Sequence, residues 1–153
     1  MASAERLEIS QVAASRTHRL RADVLHGGAS PQVARIPGED HPDVATYAAQ
    51  DAAGTVIGCV TLFPAAYPDQ PESADAGWRL RRLATAPGWR GQGVATGLLQ
   101  RCLAHIADHG GGIVWCNATP DGAAVFTHLG FATVGTPWED PEFGPNVRMR
   151  RTV

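Results

Sequence analysis

The segment Gly88 to Gly97, GWRGQGVATG, sets glycines at 91, 93 and 97 behind a single arginine, Arg90. The strand-like run Trp78 to Thr85 lies ahead of it. Behind it, Val94, Leu98, Leu99, Cys102, Leu103 and Ile106 recur at helical spacing. A glycine turn that opens a helix suits phosphate. Glycine lets the backbone come close, and the unpaired amides and positive dipole end of the helix contribute about 0.3–2 kcal/mol per favourable contact. A pyrophosphate-bearing ligand is expected, with a merely structural turn as the open alternative. Two nucleotide motifs do not fit. A P-loop needs a lysine, and all 13 basic residues are arginines. A dinucleotide fingerprint needs G-x-G-x-x-G and an acid after the next strand, which here ends Cys116-Asn117-Ala118.

Groups that could handle protons gather in two places: Glu39, Asp40 and His41 in one loop, and Glu139, Asp140 and Glu142 near the C-terminus. Each is equally an ordinary solvated loop residue. Arg79, Arg81 and Arg82 could orient an anionic acceptor or phosphates, although strand alternation sends them to both faces. Arg101, two turns into the helix, is a further phosphate candidate. His105 and His109 have the i, i+4 spacing of a metal pair but no third ligand, and histidine suits a helix C-terminus by dipole, so no metal is expected. Cys59, Cys102 and Cys116 are an odd number without C-x-x-C or zinc spacing, and read as buried small hydrophobes in a reducing compartment. The four tryptophans read as core or rim, with Trp138 and Phe143 as a candidate aromatic wall beside the last loop.

The elements that would position these groups follow from pattern. A strand over 7–12 and a helix from about Ser15 to Leu25 open the chain. A Gly-, Pro- and acid-rich loop over 26–43 follows, long enough to suggest function or mobility. Strands over 44–50 and 55–63 are joined by the turn Asp51 to Gly54. After a Pro-rich stretch (64–71) come the 78–85 strand, a helix over 93–109 capped by Gly110 to Gly112, a buried strand over 112–117, a helix over 120–129, and strands over 131–135 and 147–153. This order predicts a mixed α/β (α+β) fold.

The chain has 153 residues, 44% hydrophobic and 18% charged, which fits one globular domain over 1–153 that buries about two-thirds of its unfolded surface. A net charge of −2 argues against a nucleic-acid or anionic-membrane partner. With no signal-peptide pattern and no apolar run near the ~18 residues of a membrane helix, a cytoplasmic protein is expected.

Four linked stretches resemble the GNAT family of acetyl-CoA-dependent N-acyltransferases. Its phosphate-loop pattern Q/R-x-x-G-x-G/A is met by Arg90, Gly93 and Ala95, with Gly91 and Gln92 between. Leu83, Ala84 and Thr85 fall where the family's fourth strand splays from the fifth, Asn117 follows the fifth strand, and VFTHLGF (125–131) is similar to the family's F-Y-x-x-L-G-F run. The resemblance implies a mixed, mostly antiparallel sheet of about six or seven strands with about three or four helices. It implies acetyl-CoA bound by Leu83, Ala84, Thr85, Arg90, Gly91, Gln92, Gly93, Val94, Ala95, Thr96, Asn117 and Phe126, and acetyl or short-acyl transfer to a primary amine of a small molecule or peptide. A homodimer is compatible with it. Two departures stand out. The fourth strand carries arginines and no acid, so Glu39, Asp40 and His41 become the candidate bases. Phe126 occupies the position of the family's usual tyrosine acid, which leaves water or Cys116 as donor, or an acyl-CoA-binding module with weak or no catalysis as the alternative.

Overall fold

A computed structural model describes residues 7–68 and 77–153. Among these residues the strands are β1 (Glu8–Val12), β2 (Ala45–Gln50), β3 (Val56–Pro64), β4 (Gly77–Thr85), β5 (Ile113–Ala118), β6 (Ala132–Asp140) and β7 (Gly144–Thr152). The α-helices are α1 (His18–Leu25), α2 (Val94–Asp108) and α3 (Pro120–His128). The strands hydrogen-bond in the order β1-β2-β3-β4-β5-β7-β6. β4 and β5 are parallel, while β1–β2, β2–β3, β5–β7 and β6–β7 are antiparallel. The expected mixed, mostly antiparallel sheet is therefore present. The backbone divides into two compact units, one of residues up to Phe63 with Arg82–Cys102, the other of Pro64–Arg81 with Leu103–Val153.

In the first unit, the β2–β3 turn is set by Asp51, whose Oδ1 accepts from the amides of Ala53 (3.0 Å) and Thr55 (2.9 Å). The expected Ser15 cap is not made. The chain enters α1 through a 3-10 turn over Ala14–Thr17, and Thr17 Oγ1 donates back to the Ala14 carbonyl at 2.7 Å. Leu20 then packs against Cys59 and Ala84. α2 buries Val94, Leu98, Leu99 and Cys102. A Cβ at Gly58 would stand 2.5 Å from Val94 Cγ1, so bare backbone on β3 is what lets the start of α2 settle there. Arg101 has another task than phosphate binding: Nη1 donates to the Ile9 carbonyl at 2.7 Å and its guanidinium lies over the Tyr47 ring.

In the second unit, α2 ends as its glycines predict, with the Gly111 amide donating to the Ile106 carbonyl at 2.8 Å. His105 and His109 stack at 4.3 Å with Trp78 edge-on, and Trp78 Nε1 donates to the Gly111 carbonyl. Thr119 caps α3 through its hydroxyl, ahead of Pro120. The last strands are longer than their pattern suggests. β6 runs to Asp140 and β7 begins at Gly144, with a register shift between Val134 and Trp138 that absorbs Gly135 and Pro137. All three cysteines are buried and free, and burial pushes the thiol of Cys59 up to about 11 and those of Cys102 and Cys116 up to about 12. Among the described residues no helix is long and apolar enough to cross a membrane.

Candidate active site

Leu83, Ala84 and Thr85 close β4, and Arg82 just before them has φ of +58°. A left-handed arginine inside a strand costs about 1–3 kcal/mol and breaks the regular alternation of the strand. Cys59 Sγ reaches the Arg82 carbonyl at 3.8 Å. β4 ends with the Ala86 amide donating to the Ile57 carbonyl at 2.8 Å, and a 3-10 turn over Pro87–Trp89 leads to Arg90.

The turn that follows is open. Arg90, Gly91, Gln92 and Gly93 are exposed, with φ of +76° at Gly91 and +81° at Gly93. Gln92 Nε2 donates to the Gly88 carbonyl at 3.2 Å, closing the turn on itself. The Gly97 amide donates to the Gly93 carbonyl at 3.0 Å, which leaves the amides of Val94, Ala95 and Thr96 ahead of the helical ladder. The first turn of α2 holds no acid to compete for an anion. Ten of the sequence-expected residues, Leu83 to Thr85 and Arg90 to Thr96, thus lie on one continuous strand–turn–helix path.

The loop over 26–43 is where expectation and structure part. Its short 3-10 turn (Pro31–Ala34) is followed by Ile36 and Glu39, both buried. Arg21, fully buried on α1, donates from Nη1 to Glu39 Oε1 at 2.6 Å and to the Ala34 carbonyl at 3.2 Å, and from Nη2 to Thr61 Oγ1 at 2.6 Å. The Ile36 amide donates to Glu39 Oε1 at 3.0 Å, and His18 Nε2 meets Oε2. Burial alone would push the Glu39 carboxyl up. The bonds from Arg21, Ile36 and His18, with the charge of Arg21, outweigh it and hold the group below its ordinary 4.5. Glu39 is thereby corrected from a free base to a buried counter-charge.

Its neighbours differ. Asp40 is exposed and pairs with Arg35 at 3.1 Å. His41 is exposed, and its Nδ1 accepts from the Asp43 amide at 3.1 Å, so in the neutral ring the other nitrogen carries the proton. The residue that sequence reasoning missed is His18. Its Nε2–H points at a buried carboxylate, which in the neutral ring leaves the lone pair on Nδ1. A carboxylate that fixes an imidazole tautomer is the arrangement of a held base. Only the 21-residue separation of His18 from Glu39 links them in sequence, and that carries no local signal.

In the second unit, Asn117 lies on β5 with its Oδ1 accepting from Arg148 Nε at 3.4 Å. Phe126 is buried, edge-on to Phe131 at 5.2 Å. Trp138 is 37% exposed on β6. Glu139 lies beside it on β6, and the Asp140 carboxylate accepts the amides of Glu142 and Phe143, holding the β6–β7 turn. Among the described residues no group of three metal-ligating side chains comes together.

Residues 42–133 match the model of the acetyltransferase (GNAT) domain. The uncharacterized N-acetyltransferase YitI of Bacillus subtilis (strain 168) is 26% identical over 147 residues, 96% of this chain and 97% of that protein. A GCN5-related N-acetyltransferase from Kribbella flavida superposes with a TM-score of 0.72 at 22% identity, over 96% of this chain and 98% of its own. An aminoglycoside 6'-N-acetyltransferase complexed with coenzyme A superposes with a TM-score of 0.73 at 16% identity, over 95% of this chain and 96% of its own. At these identities the structural likeness speaks for the fold.

Proposed function

The chain belongs to the GNAT acetyltransferase family, and from that premise we propose that its single domain moves an acetyl group from acetyl-CoA directly to a primary amine of a small molecule or peptide in a ternary complex. The observation that supports this most is the exposed glycine turn opening onto the acid-free start of α2. Arg90 to Thr96 would cradle a pyrophosphate, largely through backbone amides. Leu83 to Thr85 would align the pantetheine and offer a backbone donor to the thioester carbonyl, and Asn117 would steady the arm.

An amine of pKa ~10.4 costs about 4–5 kcal/mol to deprotonate at pH 7, so a held base is valuable. We assign that role to Nδ1 of His18, with Glu39 as its positioning residue, in place of Glu39, Asp40 or His41 acting alone. Phe126 has no proton to give, and the Cys116 thiol, pushed up to about 12, is a poor donor. A thiolate of pKa ~8.5 costs only about 2 kcal/mol to release at pH 7, so it can depart unaided.

Thermal unfolding tests the cofactor. Acetyl-CoA at about 100-fold over Kd should add ~2.7 kcal/mol and raise the midpoint by about 5–10 °C, with NAD and ATP inert. A rise without turnover of any amine would favour the non-catalytic binding module. No rise would remove the glycine-turn reading.

The turn itself should respond selectively. Gly93→Val should weaken acetyl-CoA binding by about 10-fold, because a β-branched residue resists a φ of +81° and the amides behind it lose their alignment. Gly88→Ala, at an ordinary φ with open space around its Cβ, should leave affinity unchanged. Isothermal titration of the two variants checks both.

A further inference from the structure

We propose that the depression on β6 and β7 beside Arg148 is a carboxylate subsite, and that the amine acceptor carries the carboxylate it holds. The acceptor half of this rests on the acetyl-transfer reading above. Register puts Arg148 opposite Asn117 and Arg150 opposite Trp115, on one face of β5 and β7. The Arg148 guanidinium lies 5.3 Å from the Trp115 ring centroid and 5.9 Å from that of Trp138. It is therefore flanked by two indoles, which fix its plane and lessen its hydration. Its Nε is spent on Asn117, while among the described residues no carboxylate pairs with it. The terminal nitrogens of a guanidinium so held present the two-pronged donor that matches a carboxylate.

The surroundings form a receptacle. The irregularity between Val134 and Trp138 opens a depression of ≈ 230 Å³ lined by Val134, Gly135, Thr136, Trp138 and Arg148. That is below the ~300–1,000 Å³ of drug-sized pockets, so it suits one end of a small molecule. Trp138, exposed beyond what its size favours, offers an apolar wall to whatever follows the carboxylate. Arg148 donates to Asn117, the residue proposed to steady the pantetheine arm, which sets the subsite beside that arm.

The test uses a matched pair of primary amines, 4-(aminomethyl)benzoate and 4-(aminomethyl)benzamide, with the full-length protein. Binding is followed on the indole N–H resonances of Trp115 and Trp138, and acetyl transfer by thiol release. The acid should bind and react about 10–100-fold better than the amide, in line with a charge-assisted bidentate contact. Arg148→Gln should erase the preference and Arg148→Lys keep part of it, with the acetyl-CoA midpoint shift intact in both. Equal binding of acid and amide, or a preference that survives Arg148→Gln, overturns the proposal. Inorganic phosphate displacing the acid at equal concentration would also overturn it, in favour of a general anion site. If acetyl-CoA gives no shift while the acid still selects Arg148, the acetyl-transfer reading fails and the carboxylate site stands alone.

Discussion

Glu39→Ala should destabilise the fold by about 3–5 kcal/mol, because it strands a buried charge rather than because it removes a contact. The Arg21 guanidinium has no exposed surface, and Glu39 is its sole acidic partner among the described residues. The Thr61 hydroxyl and Ala34 carbonyl satisfy hydrogens but not charge. At about 2–4 °C per kcal/mol for a chain of this size, the unfolding midpoint should drop by roughly 10 °C or more. Asp40→Ala next to it should have almost no effect, since the Asp40–Arg35 pair is exposed on both sides. The double replacement Arg21→Met with Glu39→Leu should recover much of the loss, because an apolar pair of similar volume carries no desolvation cost. Acid gives the same information. The folded carboxyl of Glu39 sits below its ordinary 4.5, so its contribution is complete above that value and is lost as pH falls through the lower folded value. Urea unfolding between pH 7 and pH 3 should show the wild type losing stability in that window more steeply than the double variant. A flat difference would mean that Arg21 finds its counter-charge elsewhere.

What could be read from the sequence was local. The glycine turn, the apolar stripe of α2, the start of α3 at Pro120 and the Asp51–Gly54 turn are each fixed by residues a few positions apart, and each forms as read. What could not be read depends on distant partners. Nothing in the run GEDHPD says which of its acids turns inward. That is decided by Arg21, 18 residues earlier, and by Thr61, 40 residues after Arg21, neither of which has a periodic relation to it. The left-handed backbone at Arg82 is equally silent, because arginine is not a residue that marks such a conformation. In β6 the local signals point the wrong way. Gly135 reads as the end of a strand, yet on a strand paired along one side it and Pro137 are absorbed as an irregularity, and the pairing with β7 resumes at Trp138. That irregularity makes the depression beside Arg148, so the feature that defeated the pattern is also the one with a chemical use.

His18→Ala should lower the rate of acetyl transfer by about 10²–10⁴-fold while leaving acetyl-CoA affinity unchanged, the range expected for losing a positioned base. The size follows from the donor pattern around the ring. Because Nε2–H is held by a buried carboxylate, a proton taken at Nδ1 creates an imidazolium already paired with Glu39. That pairing stabilises the charge as it forms, as a carboxylate does behind any catalytic histidine. The helix that carries His18 also packs Leu20 against Ala84, one of the residues proposed to align the pantetheine, so α1 and the end of β4 are packed together in the first unit. A structural role would produce a different signature. His18→Gln can still donate to Glu39 and preserve the fold, but it offers no basic nitrogen, so it should be as slow as the alanine variant at an unchanged unfolding midpoint. Added imidazole should restore part of the rate in His18→Ala, where the side-chain space is vacated, and little in His18→Gln, where it is filled. If both variants turn over at the wild-type rate, the amine is deprotonated elsewhere and Glu39 is a stabilising group only. If His18→Ala is slow only because it is less stable, its midpoint falls and imidazole does not help. Rate, midpoint and rescue together separate the three cases.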